Sequence, residues 1–275
     1  MASDLHTHTN FSDGSFSPEE LLASAKSLGL TYLAITDHDT VDGICHLYEN
    51  GLYPAKGIEI IPGIEFKVDH ERDIHIVGYN IDIYNGKLLE KLNELLDARW
   101  IRFSEIIKKL QANGCQIREA DVLKIAGTSR SIGRSHIART LVKNGCFKTV
   151  REAFDKMLQK NKAAYVPRYL LGLEKILNLI HKAGGTVCLA HPKLIGDDRL
   201  VEELCQSGID AIEAFYPCHE SKDTLRYLNL AAQYNLLPTG GSDFHGSASR
   251  FVSALGEFTI EDRYAEKIYK AMRNS

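Results

Sequence analysis

Short apolar runs alternate with amphipathic segments in the first and last thirds of the chain. The apolar runs have the length of buried strands. They are Leu30–Ile35, Ile58–Phe66, Asp73–Tyr79, Thr186–Ala190, Ile209–Phe215 and Leu237–Gly241. Between them lie segments with apolar residues at helical spacing, the first of which begins with a capping-box pattern at Ser17-Pro18-Glu19-Glu20 and stops at Gly29. Strands that alternate with helices predict an α/β fold in which a parallel sheet closes into a barrel.

The middle of the chain, residues 87–168, follows a different pattern. From Lys87 to Asn113 apolar residues recur at helical spacing, and the segments Gly133–Asn144 and Thr149–Leu158 have the same character. No strong strand pattern interrupts this region before Ala164-Tyr165-Val166-Pro167. We therefore predict a barrel domain formed by residues 1–86 and 169–275, with residues 87–168 as a helical insertion that caps the substrate site.

Composition narrows the functional classes. The 275 residues are 44% hydrophobic and 25% charged, with a formal net charge of −3. This balance gives no strong basic field, so we expect no binding of long duplex nucleic acid. The six cysteines form no Cys-x-x-Cys pair and are expected to be free thiols, mostly buried. The sequence shows neither a signal peptide nor an apolar run long enough to cross a membrane, so we expect a cytoplasmic protein.

The segment Asp4-Leu5-His6-Thr7-His8 is the first candidate for chemistry. On an extended strand, alternate side chains project to the same face, so His6 and His8 can approach one cation. Asp4, and Asp37 further along, are expected to orient histidines as hydrogen-bond acceptors.

Similar residues occur at the ends of the other predicted strands. The full set is His6, His8, Asp13, His38, Glu65, His75, His191, Asp243 and His245. In parallel α/β folds the carboxyl ends of the strands form the functional site. Imidazole and carboxylate together suit zinc, manganese or iron(II), and this set exceeds what a single ion can use. The pattern therefore predicts a centre of two to three divalent metal ions, with Glu65 as a bridging ligand.

Taken together, the motifs resemble those of the PHP (polymerase and histidinol phosphatase) family. They are Asp4-Leu5-His6-Thr7-His8, Thr36-Asp37-His38-Asp39, Gly63-Ile64-Glu65, His75-Ile76-Val77-Gly78, Ala190-His191-Pro192 and Gly241-Ser242-Asp243-Phe244-His245. The resemblance implies a distorted (β/α)7 barrel with a trinuclear metal site. It assigns three ligand groups: His6, His8, Glu65 and Asp243; Glu65, His75 and His191; and Asp13, His38 and His245.

Two motifs in the insertion indicate which branch of the family the chain resembles. Ile132-Gly133-Arg134-Ser135-His136 and Tyr165-Val166-Pro167-Arg168 resemble the branch that includes 3′,5′-nucleotide bisphosphate phosphatases. Gly133 is expected to open a helix whose first N–H groups favour an anion, and Arg134 adds a fork that matches phosphate oxygens. We predict that Arg134, Ser135 and Arg168 bind substrate.

The leading functional hypothesis is a metal-dependent phosphomonoesterase that releases the 3′-phosphate of a nucleoside 3′,5′-bisphosphate. Divalent ions would activate a water molecule and neutralise phosphate charge, and His191 or His219 would protonate the leaving oxygen. A 5′-to-3′ exoribonuclease that trims short single-stranded RNA is an alternative, for which Tyr165, Tyr169, Phe215 and Tyr216 are candidate stacking residues. Histidinol phosphate hydrolysis and a non-catalytic PHP module that supports a partner protein are the others.

Overall fold

The computed structural model of the chain describes residues 2–127, 129–246 and 249–271. The chain forms two compact units. One unit comprises Met1–Glu90 and Leu170–Ser275, and the other comprises Lys91–Tyr169. None of the helices in the described ranges has both the length and the apolar composition needed to span a membrane.

The first unit is built on an eight-stranded sheet. Its strands are β1 Ala2–Asp4, β2 Leu30–Ile35, β3 Glu59–Lys67, β4 His75–Tyr79, β5 Thr186–Leu189, β6 Ala211–Phe215, β7 Leu237–Gly240 and β8 Ile260–Glu261. They are ordered β7-β6-β5-β4-β3-β2-β1-β8 across the sheet. The chain order is therefore kept around the sheet from β1 to β7, as a barrel of sequential strands requires.

The two edges of this sheet meet through the continuations of β1 and β7. The N–H of Leu5 donates to the carbonyl oxygen of Gly240 at 3.3 Å, and the N–H of His8 donates to that of Phe244 at 2.9 Å. Seven strands thus form a ring, and the two-residue β8 pairs antiparallel with the start of β1 outside it. The predicted distorted (β/α)7 barrel with a helical insertion is confirmed.

The expectation of a parallel sheet was wrong at one strand. β4 runs antiparallel to both of its neighbours, β3 and β5, whereas the pairs β1–β2, β2–β3, β5–β6 and β6–β7 are parallel. The physical reason is the short connection between Lys67 and His75, because a parallel crossover needs about a dozen residues or more. As a result the start of β4, not its end, lies beside the carboxyl ends of the other strands.

Six α-helices of the described ranges lie entirely in the barrel unit. They are α1 Pro18–Ser27, α2 Asp42–Glu49, α7 Leu173–Lys182, α8 Asp198–Cys205, α9 Ser221–Gln233 and α10 Asp262–Ala271. The predicted capping box of α1 is present, since the Ser17 hydroxyl accepts from the N–H of Glu20 and the Glu20 carboxylate accepts from the N–H of Ser17. One buried apolar cluster includes Leu5, Ala34 and Val77 and joins the strands to α10.

The second unit is helical, as the apolar spacing predicts. It contains α4 Glu119–Ala126, α5 Arg134–Lys143, α6 Val150–Ala153 with a π-helical turn at Phe154–Leu158, and most of α3 Gly86–Ala112. Its apolar core includes Phe103, Leu110, Ile137 and Leu141. Helix α4 was not predicted from the sequence. All six cysteines are free thiols, but only Cys188 and Cys205 are fully buried.

Candidate metal centre

The barrel brings eight of the nine predicted ligands into three overlapping groups. His6 and His8 follow β1, His38 follows β2, Glu65 lies within β3, and Asp243 follows β7. The groups are His6, His8, Glu65 and Asp243; His38, Glu65 and His75; and His8, Asp13, His38 and His245. Within each group one ligand atom per residue lies within 4.8 Å of the others. The groups share His8, His38 and Glu65, which is the arrangement expected for neighbouring ions.

Glu65 lies at the centre of this arrangement, and its carboxylate is only 1% exposed. Its Oε1 lies 2.7 Å from Nδ1 of His75 and 3.2 Å from Nε2 of His191. Its Oε2 lies 3.0 Å from Nδ1 of His38, 3.4 Å from Nε2 of His6 and 3.3 Å from Nε2 of His8. The two oxygens therefore face different sets of imidazoles, which is the geometry that a bridging carboxylate needs.

Comparison with known proteins places this arrangement in a family. The family model described as "PHP domain" matches residues 4–203 of this chain. The chain belongs to the PHP domain family. This PHP chain is 34% identical over 251 residues to the 5′-3′ exoribonuclease Rnm of Escherichia coli (strain K12), with 88% of the chain and 84% of the relative covered. It is 31% identical over 250 residues to the 3′,5′-nucleoside bisphosphate phosphatase of Chromobacterium violaceum, with 88% and 86% covered.

The solved structure of a proposed metal-dependent phosphoesterase from Bifidobacterium adolescentis agrees with this placement. It superposes with a TM-score of 0.85 at 29% identity, covering 98% of this chain and 96% of that one. The family and these relatives establish that the chain is a metal-dependent phosphoesterase, and thus a hydrolase. The relatives act on different substrates. The comparisons therefore establish phosphoester hydrolysis but do not identify the substrate of this chain.

Unsatisfied buried atoms show that the ligand set of this PHP phosphoesterase fits metal ions. Within the described part of the chain, Nε2 of His6, Nε2 of His8, Oδ1 of Asp13 and Oε2 of Glu65 are buried and make no hydrogen bond. A buried polar atom without a partner costs about 1–3 kcal/mol. Divalent cations bound at the ligand groups would satisfy these atoms, and imidazole with carboxylate is a donor set that zinc, manganese and iron accept.

The pKa values of several residues in the centre are shifted by the charges of their neighbours. Burial alone would raise the pKa of Glu65, but the charges of His38, His75 and His6 outweigh it and hold that pKa well below its usual value. Burial alone would lower the pKa of His75, but the Glu65 carboxylate outweighs it and raises the pKa to about 9. The carboxylates of Asp13 and Asp243 raise the pKa of His245 to about 10 in the same way. A metal ion that bound these imidazoles would therefore displace protons from them.

His191 and His219 were both predicted as proton donors, and His191 also as a ligand. His191 Nε2 approaches Glu65 Oε1, although His191 is not a member of the three groups formed by the described residues. His219 donates from Nδ1 to the carbonyl oxygen of Ala214 at 3.0 Å, and burial lowers its pKa. A single Nε2 cannot bind a cation and carry a proton at once, so His191 can fill only one of its two predicted roles.

The acidic residues that support the histidines differ from those expected. Asp4 accepts from the N–H of Ser242 at 2.9 Å, and Asp37 accepts from the N–H of Thr9 at 2.7 Å, so these carboxylates brace loops rather than imidazoles. Glu213 instead accepts from Nδ1 of His6 at 3.1 Å. Glu213 was not predicted as a site residue, although a glutamate inside the apolar run Ile209–Phe215 is a detectable signal, because charged residues are rarely buried without a partner.

Tyr216 is another residue whose place was predicted wrongly. It was a candidate for base stacking, but its side chain is 1% exposed. Its hydroxyl donates to Oδ2 of Asp243 at 2.8 Å. The ring is therefore used to hold a predicted metal ligand, and its burial leaves no face on which a nucleotide base could stack.

The predicted substrate-binding residues Arg134 and Ser135 lie in the first turn of α5, which begins after Gly133 as expected. Nη1 of Arg134 donates to the carbonyl oxygen of Leu158 at 2.9 Å. Its guanidinium carbon lies 5.6 Å from the centroid of the Phe154 ring and 5.9 Å from that of Tyr165. Ser135 and Arg168 are both half-buried. The substrate-binding roles of these residues stay predictions.

Two further arginines accompany Arg134 in the insertion. Burial and the like charges of Arg134 and Arg99 lower the pKa of Arg102 to about 10. Sequence reasoning missed Arg99 and Arg102, because two arginines three residues apart on a helix are usually a solvated face. Their spacing on α3, which places both on one side of the helix, was the available signal.

Proposed function

We propose that this PHP phosphoesterase is a phosphomonoesterase that converts a nucleoside 3′,5′-bisphosphate to the nucleoside 5′-monophosphate and phosphate. The observation that carries the proposal is the arginine cluster Arg99, Arg102 and Arg134 in the insertion. The guanidinium of Arg102 is half-buried, and the like charges of Arg134 and Arg99 disfavour its charged form, so an anion bound beside it would be stabilised. A phosphate with two negative charges suits such a cluster, because guanidinium forks match its oxygens.

The second phosphate of the substrate is the one assigned to these arginines. A monoester needs only the metal centre, whereas a bisphosphate offers a second anion that is bound and not cleaved. The rings of Phe154 and Tyr165 beside Arg134 add apolar surface next to the positive charge. That combination favours a nucleotide over a simple sugar phosphate, and the phosphatase relative from Chromobacterium violaceum supports the same assignment.

In the barrel unit the protein's own residues supply and hold the ligand atoms. We assign the predicted ligands to two or three divalent ions, which when bound would activate water and offset the charge that develops on the phosphate. Glu65 would join two of the ions, and His191 is assigned to the ligand set because its Nε2 approaches Glu65. This assignment leaves His219 as the proposed proton donor. Its lowered pKa makes the protonated imidazole a stronger acid, although less of it is protonated at neutral pH.

Exoribonuclease activity is the second candidate, and the 34% identity to the Escherichia coli exoribonuclease favours it. The same ligands and the same anion-binding arginines would act on a longer chain with a 5′-phosphate. The loss of Tyr216 as a stacking residue weakens this candidate, since single-stranded nucleic acids are commonly held by stacking on aromatic rings. Tyr169, which is 51% exposed, is still available for that role.

One substrate screen separates the candidates. Manganese-loaded protein is incubated with adenosine 3′,5′-bisphosphate, adenosine 3′-monophosphate, histidinol phosphate and a short 5′-phosphorylated RNA, and free phosphate and released 5′-mononucleotides are measured. We expect the highest kcat/KM on the bisphosphate. Higher kcat/KM on the RNA would make the exoribonuclease the better assignment. No turnover of any substrate, with the same result for a Glu65→Gln preparation, would support a non-catalytic module.

A further inference from the structure

Glu213, on β6, joins two of the predicted metal ligands inside the barrel. It is 1% exposed. Its Oε1 lies 3.1 Å from Nδ1 of His6, and its Oε2 accepts from the backbone N–H of His191 at 2.6 Å. Each carboxylate oxygen thus serves a different ligand, one through the side chain and one through the backbone.

The contact with His6 has a consequence for its tautomer. A carboxylate only accepts hydrogen bonds, so a neutral His6 must carry its proton on Nδ1. Nε2 then presents its lone pair. That atom lies 3.4 Å from Oε2 of Glu65 and 3.6 Å from Oδ1 of Asp243, within the first ligand group. The carboxylate of Glu213 therefore directs the correct nitrogen of His6 at the metal position.

The contact with His191 supports an unusual backbone conformation. His191 has φ 29° and ψ 59°, in the left-handed region that residues with a side chain seldom adopt. Its N–H is held by Glu213, and its carbonyl oxygen accepts from the N–H of Leu194, within the short helical turn Pro192–Ile195. The bond to Glu213 fixes the point at which the chain turns, and the turn is what aims the His191 ring at Glu65.

We propose that Glu213 is a positioning residue that sets the tautomer of His6 and the backbone of His191 for metal binding. The proposal rests on the proposed metal-ligating roles of these two histidines. This positioning role requires two acceptor atoms on one side chain. A glutamine at position 213 has one acceptor oxygen and one donor NH2 group, so it can satisfy His191 or the Nδ1–H of His6, but not both.

The first test uses the wild-type protein loaded with zinc. Imidazole ¹⁵N nuclear magnetic resonance, with the His6 signals assigned by comparison with a His6→Asn variant, reports which ring nitrogen carries the proton. We expect a proton on Nδ1 and zinc on Nε2. A His6 that carries its proton on Nε2, or that binds no zinc, would overturn the proposal.

The second test compares Glu213→Gln with Glu203→Gln, an exposed glutamate on α8 of the same unit. Zinc affinity is measured by competition with a chelator, and folding is checked by thermal unfolding. We expect Glu213→Gln to weaken zinc binding by about 10- to 100-fold, as lost orienting partners of ligands commonly do, and Glu203→Gln to leave it unchanged. Wild-type affinity in a folded Glu213→Gln protein would contradict the positioning role. If wild type shows the expected His6 tautomer yet hydrolyses no phosphoester, the proposed function fails and this inference stands.

Discussion

Gly241 lies directly against the backbone of His6. A Cβ atom at position 241 would stand 2.4 Å from both the backbone nitrogen and the Cβ of His6. No real Cβ contact is that short, so the continuation of β1 would have to move away from that of β7. We therefore expect Gly241→Ala to lower the free energy of unfolding by about 1–3 kcal/mol, the usual cost of overpacking, and to weaken metal binding.

Gly86 provides the control for this substitution. It is the first residue of α3, and a Cβ there would meet nothing within 4 Å. Gly86→Ala should leave metal binding unchanged and stabilise the protein slightly, because alanine is favoured over glycine in helices. Chemical denaturation and elemental analysis of both variants measure the two effects. Equal stability of Gly241→Ala and wild type would show that the two strand continuations are not packed as tightly as described.

Substitution of the central carboxylate tests whether it bridges two ions. Glu65→Gln keeps the size of the side chain but removes its charge, so we expect loss of metal and a fall in kcat of roughly a hundredfold or more. Metal content is determined by elemental analysis and turnover with the best substrate of the screen. Near-normal turnover together with full metal content would exclude a bridging role for Glu65.

Metal content is the most direct prediction of the centre. Protein prepared without chelator should contain at least two divalent ions per chain, because the three ligand groups exceed what one ion can use. Chelation should abolish activity, and manganese should restore it. Reconstituted protein that holds one ion or fewer would argue strongly against a multinuclear centre.

The affinity of the centre for metal should depend on pH in a defined direction. In the metal-free chain the pKa of His75 is raised to about 9 and that of His245 to about 10. At neutral pH both side chains are therefore imidazolium cations, and an incoming ion must displace one proton from each. Zinc affinity should rise as pH rises from 7 towards 9. Titration with a metal-binding dye at several pH values measures this. Affinity that is flat over this range would indicate that neither histidine is a ligand.

The role of Arg134 can be separated from that of the metal centre. A charge-assisted hydrogen bond of the kind proposed is worth about 1.5–3 kcal/mol. Arg134→Ala should therefore reduce kcat/KM for adenosine 3′,5′-bisphosphate by about one to two powers of ten. The effect on adenosine 3′-monophosphate should be far smaller, because that substrate lacks the second phosphate, and metal content should not change.

Arg151, a 91% exposed arginine of the same unit, is the matched control for Arg134. Arg151→Ala should leave kcat/KM for both substrates unchanged. If Arg134→Ala reduces both equally, Arg134 acts on the reacting phosphate or on folding. If it reduces neither, the arginine cluster is not a phosphate site, and the preference for a bisphosphate loses its main support.

The sequence by itself determined the barrel and most of the residues around its centre. Apolar runs alternate with helical patterns, and both patterns depend only on residues that are close together in the sequence. His38, His191 and Asp243 follow such runs, so their convergence at one edge of the sheet could be predicted before any distance was known. The helical character of the insertion was predictable for the same reason.

The tertiary structure decided the features that depend on partners distant in the chain. The direction of β4 is one: its apolar pattern is the same in a parallel and an antiparallel strand, and only its pairing with β3 and β5 brings His75 to the centre. Glu213 and Tyr216 are others, since their partners His6 and Asp243 lie on other strands. A local pattern gives the type of an element and the face of a residue. Which nitrogen of an imidazole faces a metal is set by contacts that only the closed barrel creates.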